Sequence, residues 1–347
     1  MRRNNFDLLR LFAAIQVLLM HASDHIMSDF GHGLTGAWAV VFPLLSHFPG
    51  VYIFFLISGF LISMSYEKNQ NLKDYFINRV LRIYPALYVN IFIGVLILFY
   101  FDFVQFNGEL FGWLLAQMSI GQIYNAEMFR GFGVGTINGV LWTVSVELVF
   151  YIVLPFLIYL HNKNKSLIYG LLLISYLIYN YDLSSDKEIF HNKLIRVTIF
   201  PYIFLFLTGM GFYKYYDVVK KFVNGKFMWW FLLFIVAETI KTYSIIDFGV
   251  ILNIFMWIIF SFMVFSFAFS FRNLSDFLLK RNDFTYGIYI YHMLVVNVFV
   301  HLKMVGEMKY IAAVVTLTIA VGMMSWFFIE RPFLQLKKHS IFKEMHK

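Results

Sequence analysis

The chain has 347 residues, of which 60% are hydrophobic, 21% aromatic and only 14% charged, with a mean hydropathy of +0.71. That composition excludes a soluble domain, whose surface would need far more charge, and the absence of cysteine excludes disulfides, thiol nucleophiles and Cys-ligated metals. The formal charge of +8 resembles a nucleic-acid signal only until the basic residues are placed.

Apolar runs of about 20 residues recur from end to end, each long enough to cross roughly 30 Å of hydrocarbon as a helix. Barrel strands would be shorter and would alternate, so the expected fold is an all-α polytopic membrane protein. In chain order the candidate spans are 6–27, 46–66, 81–101, 138–160, 166–182, 194–213, 227–241, 248–270, 284–302 and 309–329. The first begins at Phe6, contains Arg10 and lacks a small-residue cleavage site, so it reads as a retained helix and not as a signal peptide. The run 110–124 is too short to cross easily and is placed as an interfacial or re-entrant piece. No linker or repeat divides the chain, which predicts one transmembrane domain, 1–335, and a short cytoplasmic tail, 336–347.

Ten crossings satisfy the positive-inside rule. With the amino terminus inside, twenty of the 28 Lys and Arg fall in cytoplasmic segments, among them Lys68, Lys73, Arg79, Arg82, Lys220, Lys221 and Arg331. Seven (Arg130, Lys187, Lys193, Arg196, Lys241, Lys303 and Lys309) fall outside, and Arg10 lies within the first helix. The basic balance thus reports topology in a plasma membrane and contact with anionic headgroups, not nucleic acid.

Ionisable groups inside such spans are costly and mark cavities or partners. Arg10 and His21 are eleven residues apart, on one helix face and about 16 Å apart along the axis. Asp7 lies one turn before Arg10 and can pair with it; Asp24 and His25 follow His21. Taken singly, Arg10 also fits a snorkelling residue and His21 an interhelical hydrogen bond. Arg79 and Arg82, at i and i+3, can grip phosphate bidentately or simply anchor a helix at the cytoplasmic face. The glycine-rich stretch 131–139 is no phosphate loop, since no Lys-Ser or Lys-Thr follows, and it reads as a flexible outer loop. After it come Trp142 and Glu147, the latter roughly 12 Å below the outer surface, a depth like that of His21. This predicts a His21–Glu147 dyad in which the carboxylate fixes the imidazole, against the alternative of a protonated structural glutamate. Tyr289 and His292 stand one turn apart near the midplane, where packing is the plainer explanation. His21, Asp24 and His25 do not complete a convincing metal set, and no metal is expected.

These residues resemble bacterial acyltransferase family 3, the membrane-embedded O-acyltransferases of surface polysaccharides. The likeness rests on Phe6-Asp-Leu-Leu-Arg10 with His21, Phe54-Phe-Leu-Ile-Ser-Gly-Phe60, Arg79-Val-Leu-Arg82-Ile-Tyr-Pro85, Trp142-Thr-Val-Ser-Val-Glu147, Tyr286-Gly-Ile-Tyr-Ile-Tyr-His292 and Glu330-Arg-Pro332, in that order over nearly the whole chain. It implies ten helices, a cytoplasmic acyl-CoA donor and a glycan hydroxyl acceptor at the outer face, with no cofactor held permanently. Position by position it implies that Arg10, Arg79 and Arg82 bind the donor and that His21 and Glu147 are catalytic. Asp24, His25, Trp142, Tyr289 and His292 are candidates for lining the substrate chamber. The chain departs from some members in having no fused extracytoplasmic esterase domain, which favours direct transfer within the bundle. General-base catalysis and an acyl-histidine intermediate both stay open. So do acetyl and succinyl as the acyl group, and a polysaccharide exporter remains the rival class.

Overall fold

The protein is described by a computed structural model covering residues 4–68, 71–184, 194–243, 249–271 and 273–336. The expected tail beyond 336 lies outside the described residues, as do Arg2, Arg3, Lys187, Lys193 and Arg272. Among the described residues every regular element is helical. In chain order the helices are α1 (Phe6–Ile26), α2 (Trp38–Ser46), α3 (Gly50–Lys68), α4 (Leu72–Tyr100), α5 (Gly108–Met118), α6 (Trp142–Lys163) and α7 (Lys165–Ser184). They continue with α8 (Ile203–Lys214), α9 (Tyr216–Val223), α10 (Phe227–Tyr243), α11 (Gly249–Phe269), α12 (Leu274–Leu279), α13 (Thr285–His301) and α14 (Met308–Ser325), which runs on through a π-helical turn, Trp326–Glu330.

Among the described residues, five helical stretches are long and apolar enough to cross a membrane: Phe6–Phe30, Trp38–Lys68, Leu72–Tyr100, Gly139–Lys163 and Met308–Leu336. A sixth arises if α9 and α10, bent by 77° at their junction, count as one. Other expected crossings fall on shorter helices, such as α8 with 12 residues and α13 with 17. Outward faces are apolar, and Phe92, Phe111, Leu115 and Trp229 are more than half exposed, as lipid-facing side chains are. The chain is a helical membrane protein.

Helix α4 begins nine residues before the expected start at 81. Asn71 caps it, its side chain accepting from the N–H groups of Lys73 at 3.0 Å and Asp74 at 3.4 Å. An apolar window detects only the lipid-facing part of a helix, so the polar turns carrying Arg79 and Arg82 were read as its entrance. They lie two turns inside it.

Two compact units are interleaved along the chain. The first comprises Met1–Ala13, Gly50–Ser65 and Leu154–Asn282, the second Ala14–Pro49, Tyr66–Val153 and Asp283–Lys347. No single linker separates them, which is why the sequence reads as one domain.

The first unit is built on aromatic rings. Phe6 packs on Phe60 at 5.1 Å and Phe269 at 5.5 Å, and Phe212 stacks on Phe265 at 4.2 Å. Asn5 pins the start of α1, donating to the Ser270 carbonyl at 2.6 Å and accepting from the Ser275 N–H at 3.0 Å. Gly59 and Gly209 let α3 and α8 touch backbone to backbone; a Cβ on either would overlap main-chain atoms of the other helix. Arg10 belongs to this unit and faces Asp7 at 3.5 Å, as their spacing suggests.

In the second unit, α5 descends beside α4. Tyr84 and Tyr88 donate to the carbonyls of Ser119 and Met118, so the end of α5 lies level with the middle of α4. The chain then returns, and Phe132 packs on Phe101 and Phe103 beyond the far end of α4. Residues 108–132 thus dip roughly 20 Å along α4 and come back to the same end. The dipping backbone is satisfied internally: Gln122 donates to the carbonyls of Gln117 and Ser119 and accepts from Ser145 Oγ at 2.6 Å.

The glycine-rich stretch is clamped, not loose. Asn297 of α13 accepts from the Val134 N–H at 2.8 Å and donates to the carbonyls of Thr136 and Ile137 at 3.1 Å. Gly133, at φ +55°, sits against Asn297 where no Cβ would fit. Asn138 donates to Asn90 Oδ1 at 2.9 Å and to the Ile290 carbonyl at 2.8 Å. The expectation of a flexible loop is corrected: glycine here serves close approach to α13.

Candidate functional site

The second unit brings most of the predicted residues onto three helices, α1, α4 and α13, with α6 beside them. Arg82 of α4 donates to Asp283 at 2.5 Å, and Asp283 also accepts from the Thr285 N–H at 3.3 Å, holding the first turn of α13. Nearby, Glu330 is buried on the π-helical turn after α14, its Oε1 accepting from Ser325 at 2.9 Å. Gly287 faces that oxygen and the Gly322 carbonyl, at distances a Cβ would make 3.0 and 2.8 Å.

Arg79, one turn before Arg82, is placed differently. Its guanidinium lies 5.6 Å from the Tyr151 ring centroid and 6.0 Å from that of Tyr75. Tyr75 donates to the Tyr151 carbonyl at 2.9 Å, and the Tyr151 hydroxyl donates to Glu147 at 2.5 Å. Glu147 is thereby joined to Arg79 through Tyr151.

Nine residues along α13 from Asp283, about 14 Å, stands His292, fully buried. Its Nδ1 lies 2.6 Å from the Tyr289 carbonyl and its Nε2 2.9 Å from Nδ1 of His21, which is half-buried on α1. The rings stack at 5.2 Å with an interplanar angle of 13°, and His25 extends the stack at 5.9 Å with the same angle. His25 itself donates to Asp29 at 2.7 Å. The Tyr289 hydroxyl meets Thr143 at 2.8 Å; Thr143 donates to the Val140 carbonyl, so Tyr289 is the donor of the pair.

The His21–Glu147 dyad expected from equal depths is therefore not formed. Residue spacing fixes height on a helix but not which neighbour a face meets. His21 meets α13, whereas Glu147 meets Tyr151 on its own helix. Asp24 is exposed at the end of α1 and Trp142 half-buried at the start of α6.

A family model described as "Acyltransferase domain" matches residues 3–329. The chain belongs to acyltransferase family 3. Among its relatives, "Nodulation protein 10" of Rhizobium leguminosarum bv. viciae is 35% identical over 96% of this chain and 94% of its own length. An "O-acetyl transferase" of Shigella phage Sf6 is 26% identical over 96% of each. A peptidoglycan O-acetyltransferase of Listeria monocytogenes is 30% identical over 44% of this chain and 23% of its own. No solved structure matches. Membership of acyltransferase family 3, with O-acetyltransferases among its relatives, makes this an acyl-transferring enzyme.

Four residues that hold this family member's site together escaped the sequence reading. Tyr151 was signalled by its i+4 spacing from Glu147. Asn90 and Asn297 were signalled by being amides within apolar runs, where an unpaired polar group is costly. Asp283, just ahead of α13, carried no comparable signal, since an acid before a helix is usually only a cap.

Proposed function

We propose that this enzyme transfers an acyl group, acetyl by default and succinyl as the runner-up, from cytoplasmic acyl-CoA to a hydroxyl of a cell-surface or lipid-linked glycan at the outer membrane face. The observation that carries the reading is His21: an imidazole within a membrane-spanning helix, half-buried, with Nδ1 engaged and, among the described residues, no hydrogen-bond partner on Nε2. A histidine held this way can take a proton without first breaking a bond. Ten crossings with both termini cytoplasmic put the Arg79 end of α4 on the donor side. The donor's phosphates then meet Arg79, and Arg10 contributes to donor binding as the family likeness implies.

In the chemical step the acceptor oxygen attacks the thioester carbonyl carbon while His21 removes its proton. The tetrahedral centre collapses with loss of the C–S bond, and the proton passes from His21 to the departing sulfur, giving ester and free CoA thiol. Excluding bulk water keeps the thioester from hydrolysis, and a bundle in lipid supplies that exclusion.

The test is transfer of label from acetyl-CoA to lipid-linked glycans extracted from the host membrane, using the purified protein in vesicles. Labelled glycan is expected, with loss of roughly 10²-fold or more in His21→Ala. Full transfer by His21→Ala would remove the catalytic assignment. Movement of glycan across the vesicle without acylation would replace the enzyme reading by that of an exporter.

A further inference from the structure

We infer that His292 is the positioning residue of the site: it fixes His21 in the tautomer protonated at Nδ1, so that Nε2 is the reacting nitrogen. The inference rests on the reading of His21 as the base and takes the orienting role away from Glu147.

The argument is a hydrogen-bond accounting along one chain of groups. A carbonyl oxygen only accepts, so the 2.6 Å contact between the Tyr289 carbonyl and His292 Nδ1 requires a proton on that nitrogen. Neutral His292, buried completely in the second unit, then has a bare Nε2 that can only accept. The atom 2.9 Å away is His21 Nδ1, which must carry the proton of that bond. Neutral His21 with its proton on Nδ1 is left with a lone pair on Nε2. One backbone carbonyl thus dictates, through two rings, which nitrogen of the base is open.

The neighbourhood agrees. His25, whose ring lies 5.9 Å from that of His21, turns its Nδ1 to Asp29 and does not compete for His21 Nδ1. The α13 backbone around His292 is held at both ends, by Asp283 on Arg82 and by Asn297 on the clamped loop. The ring that orients the base is therefore mounted on a fixed helix.

The logic is that of a catalytic triad with a neutral imidazole in the carboxylate's place. A neutral acceptor fixes the tautomer but gives less support to the imidazolium than an anion would. In the general-base step the acceptor proton goes to Nε2, leaving both nitrogens of His21 protonated, and the same proton later leaves Nε2 for sulfur. The acyl-histidine variant uses the same lone pair as nucleophile, so the reacting atom is the same in both.

The experiment is solid-state NMR on the whole protein, labelled with ¹³C,¹⁵N-histidine in lipid bilayers, with the His21 signals assigned by their loss in His21→Ala. Wild-type His21 is expected to be protonated at Nδ1 only. His292→Leu, which fills the space without an acceptor, should shift His21 to the Nε2–H form or a mixture. His292→Gln, whose Oε1 can stand where Nε2 was, should restore the Nδ1–H form. Acetyl-CoA turnover in the same vesicles should show kcat reduced roughly 10²-fold in the Leu variant with KM for acetyl-CoA nearly unchanged, and mostly recovered in the Gln variant. An Nε2–H tautomer in wild type, or no change of tautomer in His292→Leu, overturns the inference. If the tautomers behave as expected while no glycan is acylated, the positioning stands and the proposed function fails. The wild-type spectrum decides even if the Leu variant does not fold.

Discussion

Arg82 and Asp283 meet at 2.5 Å across 201 residues of chain and join the amino-terminal half of α4 to the first turn of α13. The two side chains are 23% and 12% exposed, so neither charge is fully solvated. The arginines that the sequence presents as a matched pair are thus differently employed. Arg82 holds a helix, and Arg79 lies among aromatic rings.

Removing one partner leaves the other charge partly buried. Arg82→Ala and Asp283→Ala should each cost about 1.5–3 kcal/mol, read as a lower melting temperature of the detergent-solubilised protein. The double variant should cost less than the sum of the two. Unchanged melting in both single variants would show that the pair does not hold α13.

Arg79→Ala should leave folding nearly intact and raise KM for acyl-CoA about tenfold, the loss of roughly 1.4 kcal/mol of phosphate contact. Glu147→Gln keeps an acceptor for Tyr151 and should shift KM in the same direction, leaving kcat within a few-fold. A Glu147→Gln enzyme with normal KM and a kcat as low as that of His21→Ala would reinstate direct partnership with His21.

Gly287→Ala places a methyl against the Gly322 carbonyl and Glu330, both on the α14 side. Backbone cannot withdraw as a flexible side chain can. The expected cost is about 1–3 kcal/mol, seen as lowered thermal stability, with Gly322→Ala behaving alike because its Cβ would meet Ile288. An alanine variant as stable as wild type would mean the two helices can part without loss.

Asn297→Ala removes the acceptor of the Val134 N–H and the donor to two carbonyls at once. Each group left unsatisfied costs about 1–3 kcal/mol. Limited proteolysis should cut between 125 and 140 in the variant at protease levels that spare the wild type. Equal resistance would show that Asn297 is not the clamp.

How much of this was legible in the sequence depends on what kind of fact is asked for. Helical class, the spans holding Arg10 and Glu147, and the omission of 110–124 from the crossings follow from run length and composition, which act locally; whether 110–124 is interfacial or re-entrant does not. His21 stood out because imidazole in an apolar run is expensive wherever it faces. His292 stood out in the same way, but not as its partner. Glu147 and His292 lie at similar depth, and only the rotation of α6 and α13 about their axes, set by contacts such as Tyr151 with Arg79 and Asn297 with Val134, decides which one reaches α1. The glycines of 131–139 were misread for the same reason: their freedom is visible in sequence, but the asparagine that uses it is on another helix.

The hydrogen bond between His21 and His292 spans 271 residues of chain. At a synthesis rate of roughly 5–20 residues per second, α1 waits on the order of 14–54 s in the bilayer before its partner emerges. During that time the imidazole has no ring to orient it and no fixed reacting nitrogen. On the inferred role of His292, the base is first oriented once α13 is inserted, and a chain halted before that point is expected to be no more active than His292→Leu.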